Sequence, residues 1–326
     1  MTSQGGVLIG VDVGGTTTSG GLVTQEGAVL SVVQTSTYRD APGSVLDTVL
    51  GVIGDLVSRA EKRCLRVEGI GVGLPGIVDV DAGRLGRGIV QVPELAELPL
   101  VERIEAKTGV AAFIDNDVNA LALGEWRYGL ARGAPSLVLL ALGTGLGGAV
   151  ILDGHLVRGK RGYGGEFGHV PVNFDGRGCV CGSRGCLGAY AAGYGIALEY
   201  RRRVHGFRGL VRPGFHPPSE SNAQEVFEAA AAGDARARAV IEEACRALGA
   251  ALGGIVNGLN PEVIVVTGGV VKSLVPLQGE ILQHAAKHAF ADALADTRIH
   301  LVPGLKSETV RGGAALVLYE QARRAG

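Results

Sequence analysis

The sequence contains little of what membrane-spanning, secreted or nucleic-acid-binding proteins need. Its 326 residues carry a formal net charge of −1 and include only five cysteines. Because no basic stripe is evident in so balanced a chain, neither nucleic acids nor anionic membranes are expected partners. No basic segment followed by an apolar stretch opens the chain, and no apolar run reaches about 18 residues, so we expect neither a signal peptide nor a transmembrane helix. The few cysteines suit a reducing cytoplasm, which is the expected location.

Three of the five cysteines lie within eight residues, and a histidine precedes them. Cys179, Cys181 and Cys186 offer thiolates, and His169, ten residues before Cys179, offers an imidazole. Such a set can complete a tetrahedral zinc shell with no open position, as structural zinc sites do. A disulfide or three incidental buried thiols are the alternatives, but Cys-x-Cys is too short for easy disulfide pairing and the odd count leaves a thiol unpaired. We therefore expect a structural zinc loop that fixes Glu166 and His169 in space.

Glycine is abundant, at 54 residues, and it clusters after apolar runs. The pattern of strand, glycine turn and returning strand occurs twice, around Asp12–Thr16 and around Leu142–Gly147. This weak internal duplication predicts two similar α/β halves that meet at a cleft. We expect a smaller N-terminal domain at residues 1–114 with about 311–326, and a larger domain with the zinc loop at 115–310. Residues 206–222, rich in glycine and proline, are expected to form a surface excursion.

Hydrophobic periodicity and turn residues predict the individual elements. Strands are expected at about 7–13, 20–23, 29–35, 69–73, 111–114, 137–142, 149–152, 262–267 and 299–303. Helices are expected at about 44–63, 100–108, 117–128, 223–232, 235–259, 277–293 and 312–323. The cysteine-rich region between them is expected to be irregular.

Two glycine loops carry the side chains that phosphate binding needs. Glycine lets backbone N–H groups approach a phosphate with no Cβ in the way, and threonine hydroxyls add donors. A carboxylate beside them can position magnesium through water. Either loop alone is more often a simple hairpin, but their matching places in the two halves indicate phosphate binding. Neither fits a Walker loop or the Rossmann fingerprint. The residues are Asp12, Gly14, Gly15, Thr16 and Thr17 in the first loop, and Gly143, Thr144 and Gly145 in the second.

Two further segments follow apolar strands. Gly268 and Gly269 come after a strand and could cradle a nucleoside, although an ordinary strand-to-helix turn is an equal alternative. In the segment 115–119, four of five residues are polar, at a strand end where α/β proteins place ligands. Capping of the next helix by Asn116 or Asp117 explains one of them. A carboxylate here could take a proton from an alcohol as that alcohol attacks a phosphoryl group.

Taken in order, these motifs resemble the ROK family of sugar kinases (repressor, open reading frame, kinase), which lies within the actin-like ATPase superfamily. The resemblance covers essentially the whole chain, and the cysteine signature is its specific part. It implies two actin-like (ribonuclease H-like) α/β domains flanking a cleft, with Mg-ATP and a small-molecule sugar as substrates. It also implies a homo-oligomer, either a dimer or a tetramer. The matching segments are 12–17, 74–76, 116–125, 142–148, 166–169 with the three cysteines, 260–261 and 267–269.

The resemblance also implies roles for individual residues. Asp117 would be the general base that deprotonates the sugar 6-hydroxyl, and Gly76 would contact the sugar through its backbone. Asn116, Glu166 and His169 would contact sugar hydroxyls, with His169 using one ring nitrogen for zinc and the other for the sugar. The Mg-ATP contacts would come from Asp12, Thr16, Thr17, Thr144 and Gly268.

One position departs from the family pattern. The family has Cys-x-Glu after its last zinc ligand, and that glutamate contacts the sugar near its anomeric end, whereas this chain has Gly188. A serine found a few residues later in the family is Ala192 here. Losing an acceptor weakens binding of a hydroxyl or opens room for a larger group. An amino or N-acyl hexosamine, a hexose of different configuration at C1–C3, and weakly bound glucose all remain open as substrates.

Two other functions are weighed against an ATP-dependent hexose or hexosamine kinase. Sugar-responsive repressors of the family carry a DNA-binding segment before the first phosphate loop, and only eleven residues precede Asp12 here. Glucokinases that use polyphosphate lack the cysteine cluster that this chain keeps. We therefore expect the ATP-dependent kinase, and the retained base, loops and zinc ligands argue against a loss of activity.

Overall fold

The structure is a computed structural model that describes residues 5–38, 44–87, 89, 91–206 and 222–325. It divides into two compact units, one formed by residues 1–134, 155–164 and 305–326, and the other by 135–154 and 165–304. The expected surface excursion at 206–222 lies, except for its two end residues, outside the described residues.

The first unit is built on a mixed five-stranded sheet. Its strands are β1 (Gly6–Val13), β2 (Thr17–Thr24), β3 (Val29–Ser36), β4 (Arg66–Leu74) and β7 (Ala112–Asn116), and the short β5 (Val78–Asp79) and β6 (Arg84–Leu85) form a separate hairpin. The strand order is β3-β2-β1-β4-β7. The first three strands form an antiparallel meander, while β1, β4 and β7 run parallel. Residues 7–11 of β1 and 69–74 of β4 are buried, and these stretches read as continuous apolar runs, as interior strands do.

Three helices of the first unit follow in the chain: α1 (Ser44–Glu61), α2 (Leu100–Thr108) and α3 (Asp117–Tyr128). The apolar residues of α1 recur at helical spacing, and they are buried in one core with the sheet and with α2. Gly109 ends α2 with a φ of +68°, a left-handed conformation that glycine adopts without strain.

The second unit repeats the strand arrangement of the first. Its strands are β8 (Leu137–Leu142), β9 (Leu146–Leu152), β11 (Val263–Thr267) and β12 (Arg298–Leu301), while the two-residue β10 (His155–Leu156) belongs to the segment of the first unit that follows β9. Strand β8 pairs antiparallel with β9 and parallel with β11, which pairs parallel with β12. The internal duplication predicted from the two glycine loops is therefore present as two related sheets.

Among its described residues, the second unit contains seven helices: α4 (Gly188–Ala191), α5 (Gly193–His205), α6 (Ala223–Ala231), α7 (Ala235–Leu259), α8 (Val271–Leu274), α9 (Gln278–Ala286) and α10 (Ala291–Asp296). Helix α7 is the longest described element, and its ends are well marked. The Asp234 side chain accepts hydrogen bonds from the N–H groups of Arg236 and Ala237, and Asn260 closes the helix with a φ of +42°.

The last helix, α11 (Lys306–Ala325), returns to the first unit and packs against β1, β4 and α3. Glycines make this approach close: a Cβ added at Gly10 would lie 1.8 Å from the carbonyl oxygen of Val310, and one at Gly71 would lie 1.9 Å from that of Gly313. Because α3 packs on α11, it lies within the first unit. The first boundary therefore falls after residue 134, whereas the sequence placed it after residue 114.

The described elements differ from the expected ones in three places. Helix α5 lies where an irregular segment was expected, and α11 begins at Lys306 rather than near Gly312. The single helix expected at 277–293 is interrupted between α9 and α10. Asn257 binds the backbone at this break, because its Nδ2 donates to the His288 carbonyl at 2.7 Å and its Oδ1 accepts from the Phe290 N–H at 2.9 Å. Among the described residues, no helix combines the length and apolar character needed to cross a bilayer.

Candidate functional site

The first glycine loop is a tight turn between β1 and β2. The Gly14 N–H donates to the Thr17 carbonyl at 3.0 Å. Thr37 supports the turn from β3's end, because its hydroxyl donates to the Gly14 carbonyl at 2.6 Å and its N–H donates to the Thr16 carbonyl at 3.0 Å. Sequence reasoning missed Thr37, since nothing in the local motif indicates a partner so far along the chain. The turn comprises Gly14, Gly15, Thr16 and Thr17, of which Thr16 is exposed and the others are half-buried.

The predicted residues of the first unit gather at one edge of its sheet. Asp12 on β1 is in register with Gly73 on β4, and Gly73 is in register with Asp115 on β7. Because these strands are parallel, their carboxyl ends share the edge at which α/β proteins bind ligands. A Cβ added at Gly73 would lie 3.2 Å from the Cα of Asp117, so the start of α3 packs directly on β4.

Asn116 and Asp117 begin helix α3. The Asn116 Oδ1 accepts from the N–H groups of Val118 at 2.9 Å and Asn119 at 3.2 Å, which makes Asn116 the N-cap. Its Nδ2 donates to the Gly76 carbonyl at 3.0 Å. The half-buried Asp117 is the first helical residue, and its Oδ1 accepts from the Val118 N–H at 2.9 Å. A helix N-terminus stabilises the charged carboxylate, the form that can accept a proton.

The other polar residues of the 115–119 segment belong to a buried network. Asp115 accepts hydrogen bonds from the Asn119 Nδ2 at 2.9 Å and from the Arg158 Nε at 2.8 Å. Arg158 also pairs with Glu320 on α11, so one guanidinium serves two buried carboxylates. Capping thus explains Asn116, the network explains Asp115 and Asn119, and Asp117 is the carboxylate of the segment for which a chemical role is proposed below.

The four expected metal ligands lie together in the second unit. Their ligand atoms, from His169, Cys179, Cys181 and Cys186, are all within 4.8 Å of one another. The Cys179 Sγ lies 3.4 Å from the His169 Nδ1, and the Cys181 Sγ lies 3.8 Å from the Cys186 Sγ. A tetrahedral shell with Zn–S of about 2.3 Å and Zn–N of about 2.0 Å has S···S edges of about 3.8 Å and S···N edges of about 3.5 Å. The donor set and its spacing therefore fit a zinc ion, and no pair of these thiols is bonded as a disulfide.

The electrostatics of the cluster favour a cation among the sulfurs. Although burial opposes ionisation, hydrogen bonds with His169 and other neighbours hold the pKa of Cys179 at about 6. Burial and the adjacent Cys179 raise the pKa of Cys186 to about 12. One thiolate thus forms readily and the next is opposed by like charge, so three thiolates become compatible when a metal ion lies between them.

The turn that carries Glu166 and His169 is pressed against the start of β9. It forms a short 3₁₀ turn at Phe167–His169, and the His169 N–H donates to the Glu166 carbonyl at 3.0 Å. A Cβ added at Gly168 would lie 2.1 Å from the Leu146 carbonyl oxygen, so only glycine permits this contact. Since the Nδ1 of His169 faces the thiols, its Nε2 is the nitrogen that could serve a second partner.

The second glycine loop and the segment after β11 meet in the second unit. The Val270 N–H donates to the Leu142 carbonyl at 3.1 Å, which holds Gly268 and Gly269 beside the loop Gly143–Gly145. A Cβ added at Gly143, Gly145 or Gly269 would meet no described atom within 4 Å. These three glycines therefore border open space, as a phosphate-binding loop requires.

That open space is a cavity of about 790 Å³, lined by Gly143, Thr144 and Gly269 among others. Its wall also contains apolar Phe227 and Ile241, together with two basic and three acidic side chains. An apolar surface beside open glycine loops suits a nucleotide, and the volume is typical of small-molecule sites. Sequence reasoning missed most of this wall, although a lysine shortly after the Gly268-Gly269 pair was a usable signal. The missed residues include Asn222, Phe227, Arg238, Ile241, Lys272 and Glu280.

The predicted residues divide between the two units. The first unit contains Asp12, Gly14, Gly15, Thr16, Thr17, Gly76, Asn116 and Asp117, and the second contains Gly143, Thr144, Gly145, Glu166, His169, Cys179, Cys181, Cys186, Gly268 and Gly269.

Comparison with known proteins adds an independent finding. The ROK family model matches residues 8–320. A glucokinase of Thermotoga maritima is 32% identical over 316 residues, which are 95% of this chain and 96% of the relative. An N-acetyl-D-glucosamine kinase of Vibrio vulnificus is 32% identical over 272 residues, 80% of this chain and 83% of the relative. A solved ROK family glucokinase from Streptomyces griseus, in complex with glucose and AMPPNP, matches with a TM-score of 0.72 and 27% identity over 95% of this chain and 98% of that one. The α/β fold class expected from the sequence is confirmed.

Proposed function

Because this chain belongs to the ROK family, we propose that it is an ATP-dependent kinase that phosphorylates a hexose or hexosamine at the 6-hydroxyl. Similarity to a glucokinase and to an N-acetyl-D-glucosamine kinase supports this class of reaction. The structural observation that carries the proposal is the cavity of about 790 Å³ at the glycine loops of the second unit.

The nucleotide is assigned to that cavity. Its base would lie against Phe227 and Ile241, and its phosphates would meet the N–H groups around Thr144 and Gly269. In the first unit, the turn Gly14–Thr17 would contact phosphate oxygens, and Asp12 would hold Mg²⁺ through water. When bound, Mg²⁺ neutralises the charge that develops on the transferred phosphoryl group.

Asp117 is assigned as the general base. Its position at the start of α3 favours the charged carboxylate, and the Asn116 cap fixes the backbone on which it stands. The carboxylate would take the proton of the sugar hydroxyl as the hydroxyl oxygen attacks the γ-phosphorus and ADP departs. Asn116 retains one Nδ2–H beyond its bond to Gly76, which a sugar hydroxyl could accept.

The cysteine cluster is assigned to a structural zinc ion. Three thiolates and one imidazole would close the shell, so the ion offers no site for substrate and acts by fixing the fold of the loop. The loop would then present Glu166 and the Nε2 of His169 to sugar hydroxyls. We expect about one zinc per chain by metal analysis of freshly purified, reduced protein, and a protein without metal would contradict the assignment.

Gly188 is the proposed determinant of sugar preference. It is buried at the start of α4, and an added Cβ would lie 3.1 Å from the Gly168 carbonyl oxygen and 3.5 Å from the Tyr194 hydroxyl. The space next to Gly188 is therefore partly taken by the Tyr194 hydroxyl. This supports a changed pattern of hydroxyl recognition. An amino or N-acyl sugar, a hexose of different configuration at C1–C3 and weakly bound glucose are the alternatives to be separated by assay.

The reaction is tested by a coupled assay of ADP release over glucose, mannose, fructose, allose, glucosamine, 3-amino-glucose, N-acetylglucosamine and N-acetylmannosamine. We expect at least one sugar to support turnover, and Asp117→Asn to lower kcat by about 10²–10⁴-fold, the usual contribution of a general base. Sugar affinity and zinc content should stay near their native values in this variant. Near-native kcat would refute the base, whereas sugar binding without any turnover in the native protein would favour a sugar-sensing repressor.

The same panel tests the role of Gly188. Gly188→Glu restores a carboxylate, and Gly188→Ala is the matched control that adds bulk without charge. We expect Glu to raise kcat/KM for glucose relative to the other sugars and Ala to leave the ranking unchanged. An unchanged ranking in both variants would remove Gly188 from the determinants of specificity. The expected dimer or tetramer is measured on the same preparations by light scattering coupled to size exclusion.

A further inference from the structure

The second unit contains another large cavity, of about 980 Å³, that shares no lining residue with the nucleotide cavity. Its walls come from the cysteine-rich loop (residues 169–186), α4, α5 and α7. Five arginines and two glutamates line it, which gives an excess of three positive charges. No role assigned above uses this cavity.

Three of the arginines belong to an ion-pair network that joins the walls. Arg177, on the cysteine-rich loop, pairs with Glu243 on α7 and lies 3.7 Å from Glu199 on α5. Arg203 bridges the same two glutamates, with 2.8 Å to Glu199 and 2.7 Å to Glu243. Arg202 adds a further bond to Glu199 at 2.7 Å. Although burial opposes ionisation, these arginines hold the pKa of Glu199 at about 2, so both glutamates are already engaged by cations.

The other two arginines have no such partner. Arg184, on the cysteine-rich loop, and Arg246, on α7, both line the cavity and are exposed. Within the described residues, neither side chain makes an ion pair or a hydrogen bond. Since Glu199 and Glu243 are engaged by the other three arginines, the excess positive charge of the cavity is not neutralised by its own walls.

Guanidinium groups recognise phosphate and carboxylate groups in particular. Their planar fork of N–H donors matches two phosphate oxygens, and such charge-assisted hydrogen bonds are about twice as strong as neutral ones. A concave site with low-dielectric walls also strengthens the attraction of an anion over that of an open surface. The volume of about 980 Å³ admits a small phosphorylated molecule.

We propose that this cavity is a second ligand site, which binds the phosphate group of a small molecule through Arg184 and Arg246. The ion-pair network around Glu199 and Glu243 holds the walls in place, and the two unpaired arginines supply the contacts. The site is separate from the nucleotide cavity, and its existence does not depend on the kinase reaction.

The test is calorimetric titration of the full-length protein with inorganic phosphate, pyrophosphate and glucose 6-phosphate, with glucose as the uncharged comparison. Pyrophosphate is the principal probe in the variants. The double substitution Arg184→Ala with Arg246→Ala should weaken its binding at least about tenfold, as expected when charge-assisted hydrogen bonds are lost. Arg236→Ala removes one positive charge from α7 outside the cavity and should change the affinity less than about twofold. Binding should weaken as salt rises.

A second variant separates the two cavities. Gly143→Val projects a side chain from a residue that lines the nucleotide cavity, where the added Cβ meets no described atom within 4 Å. Pyrophosphate binding that survives this change and is lost in the double arginine variant supports the proposal. Binding that is lost in Gly143→Val and kept in the double variant overturns it, because the ligand would then occupy the nucleotide cavity.

The remaining outcomes are equally decisive. If only glucose 6-phosphate binds, and the double variant loses it, the sugar adds contacts to the phosphate and the proposal stands. If glucose alone binds in the same way, the cavity recognises sugar and the proposal is wrong. The absence of binding by all three phosphates would overturn it, and an accompanying change of oligomeric mass in the double variant would identify this face as a subunit contact.

Discussion

The strongest stability prediction concerns Arg158, whose guanidinium is shared by two buried carboxylates. The Asp115 side chain is 2% exposed and that of Glu320 is 4% exposed, while Arg158 itself is 14% exposed. Burial lowers the pKa of Arg158, but Asp115 and Glu320 together raise it above its usual value, so the guanidinium is charged at neutral pH. Replacing it with Met keeps most of the apolar stem and removes the charge.

The expected loss of stability in Arg158→Met follows from the contacts that the buried carboxylate of Asp115 keeps. Asp115 keeps its bonds to the Asn116 N–H at 2.7 Å and the Asn119 Nδ2 at 2.9 Å, both to Oδ1, so its Oδ2 loses its partner. Breaking a buried pair by removing one member typically costs about 3–5 kcal/mol, because it leaves an uncompensated buried charge. We therefore expect Arg158→Met to lower the free energy of unfolding of the first unit by about 3–5 kcal/mol.

Arg323 provides a matched control, because it contacts the same Glu320. Its Nε lies 2.9 Å from the Glu320 Oε2, but its side chain is 45% exposed. Exposed pairs contribute about 0–1 kcal/mol, so Arg323→Met should cost less than about 1 kcal/mol. The contrast separates burial from the mere presence of an ion pair.

The single tryptophan makes the measurement specific to the first unit. Trp126 lies on α3, and its Nε1 donates to the Ala134 carbonyl at 2.8 Å. Its fluorescence during urea unfolding therefore reports the unit that contains Arg158. A loss below about 1 kcal/mol in Arg158→Met, or equal losses in the two variants, would refute the reasoning.

Two further predictions use matched pairs of substitutions. The Tyr194 hydroxyl lies 3.8 Å from the Cys179 Sγ, so Tyr194→Phe should weaken zinc retention about tenfold in competition with a chromophoric chelator. The Tyr190 hydroxyl instead accepts a hydrogen bond from a backbone N–H, so the control Tyr190→Phe should change zinc retention less than about twofold. Gly10→Ala should destabilise the first unit by more than about 2 kcal/mol in urea unfolding, because its Cβ would lie 1.8 Å from a backbone carbonyl of α11; Gly54→Ala, on an open face of α1, should instead add about 0.5–1 kcal/mol.

The cysteine cluster could be predicted from the sequence because its signal is local. Three thiols and one imidazole within a short segment can meet only if the loop closes around them, and the structure brings their ligand atoms within 4.8 Å of one another. The long helix α7 was equally predictable, because its apolar spacing and the Asp234 cap indicate the same helix start. Such features can be predicted because the residues that interact are neighbours in the chain.

Other features depend on partners that are distant in sequence. Helix α5 was missed because Gly193 and Gly195 open it and a dense run of charged residues follows. Within that run, Arg203 pairs with Glu243 on α7, 40 residues away along the chain. The interruption between α9 and α10 was missed for the same reason, because the side chain that binds its backbone is Asn257 on α7.

The 115–119 segment shows how this difference affects functional inference. In the sequence, its four polar residues together suggest one functional site. Only their long-range contacts show that they have different roles. Asp115 and Asn119 join a network completed by Arg158 and Glu320, and Asn116 both caps α3 and binds Gly76. Most of the polar residues at this strand end therefore stabilise the local fold. A single proposed base needs several buried polar neighbours, because a carboxylate at a sheet edge keeps its position only if the strand end beneath it is satisfied. Substitutions in the network should thus reduce stability first, whereas Asp117→Asn should reduce turnover without loss of stability.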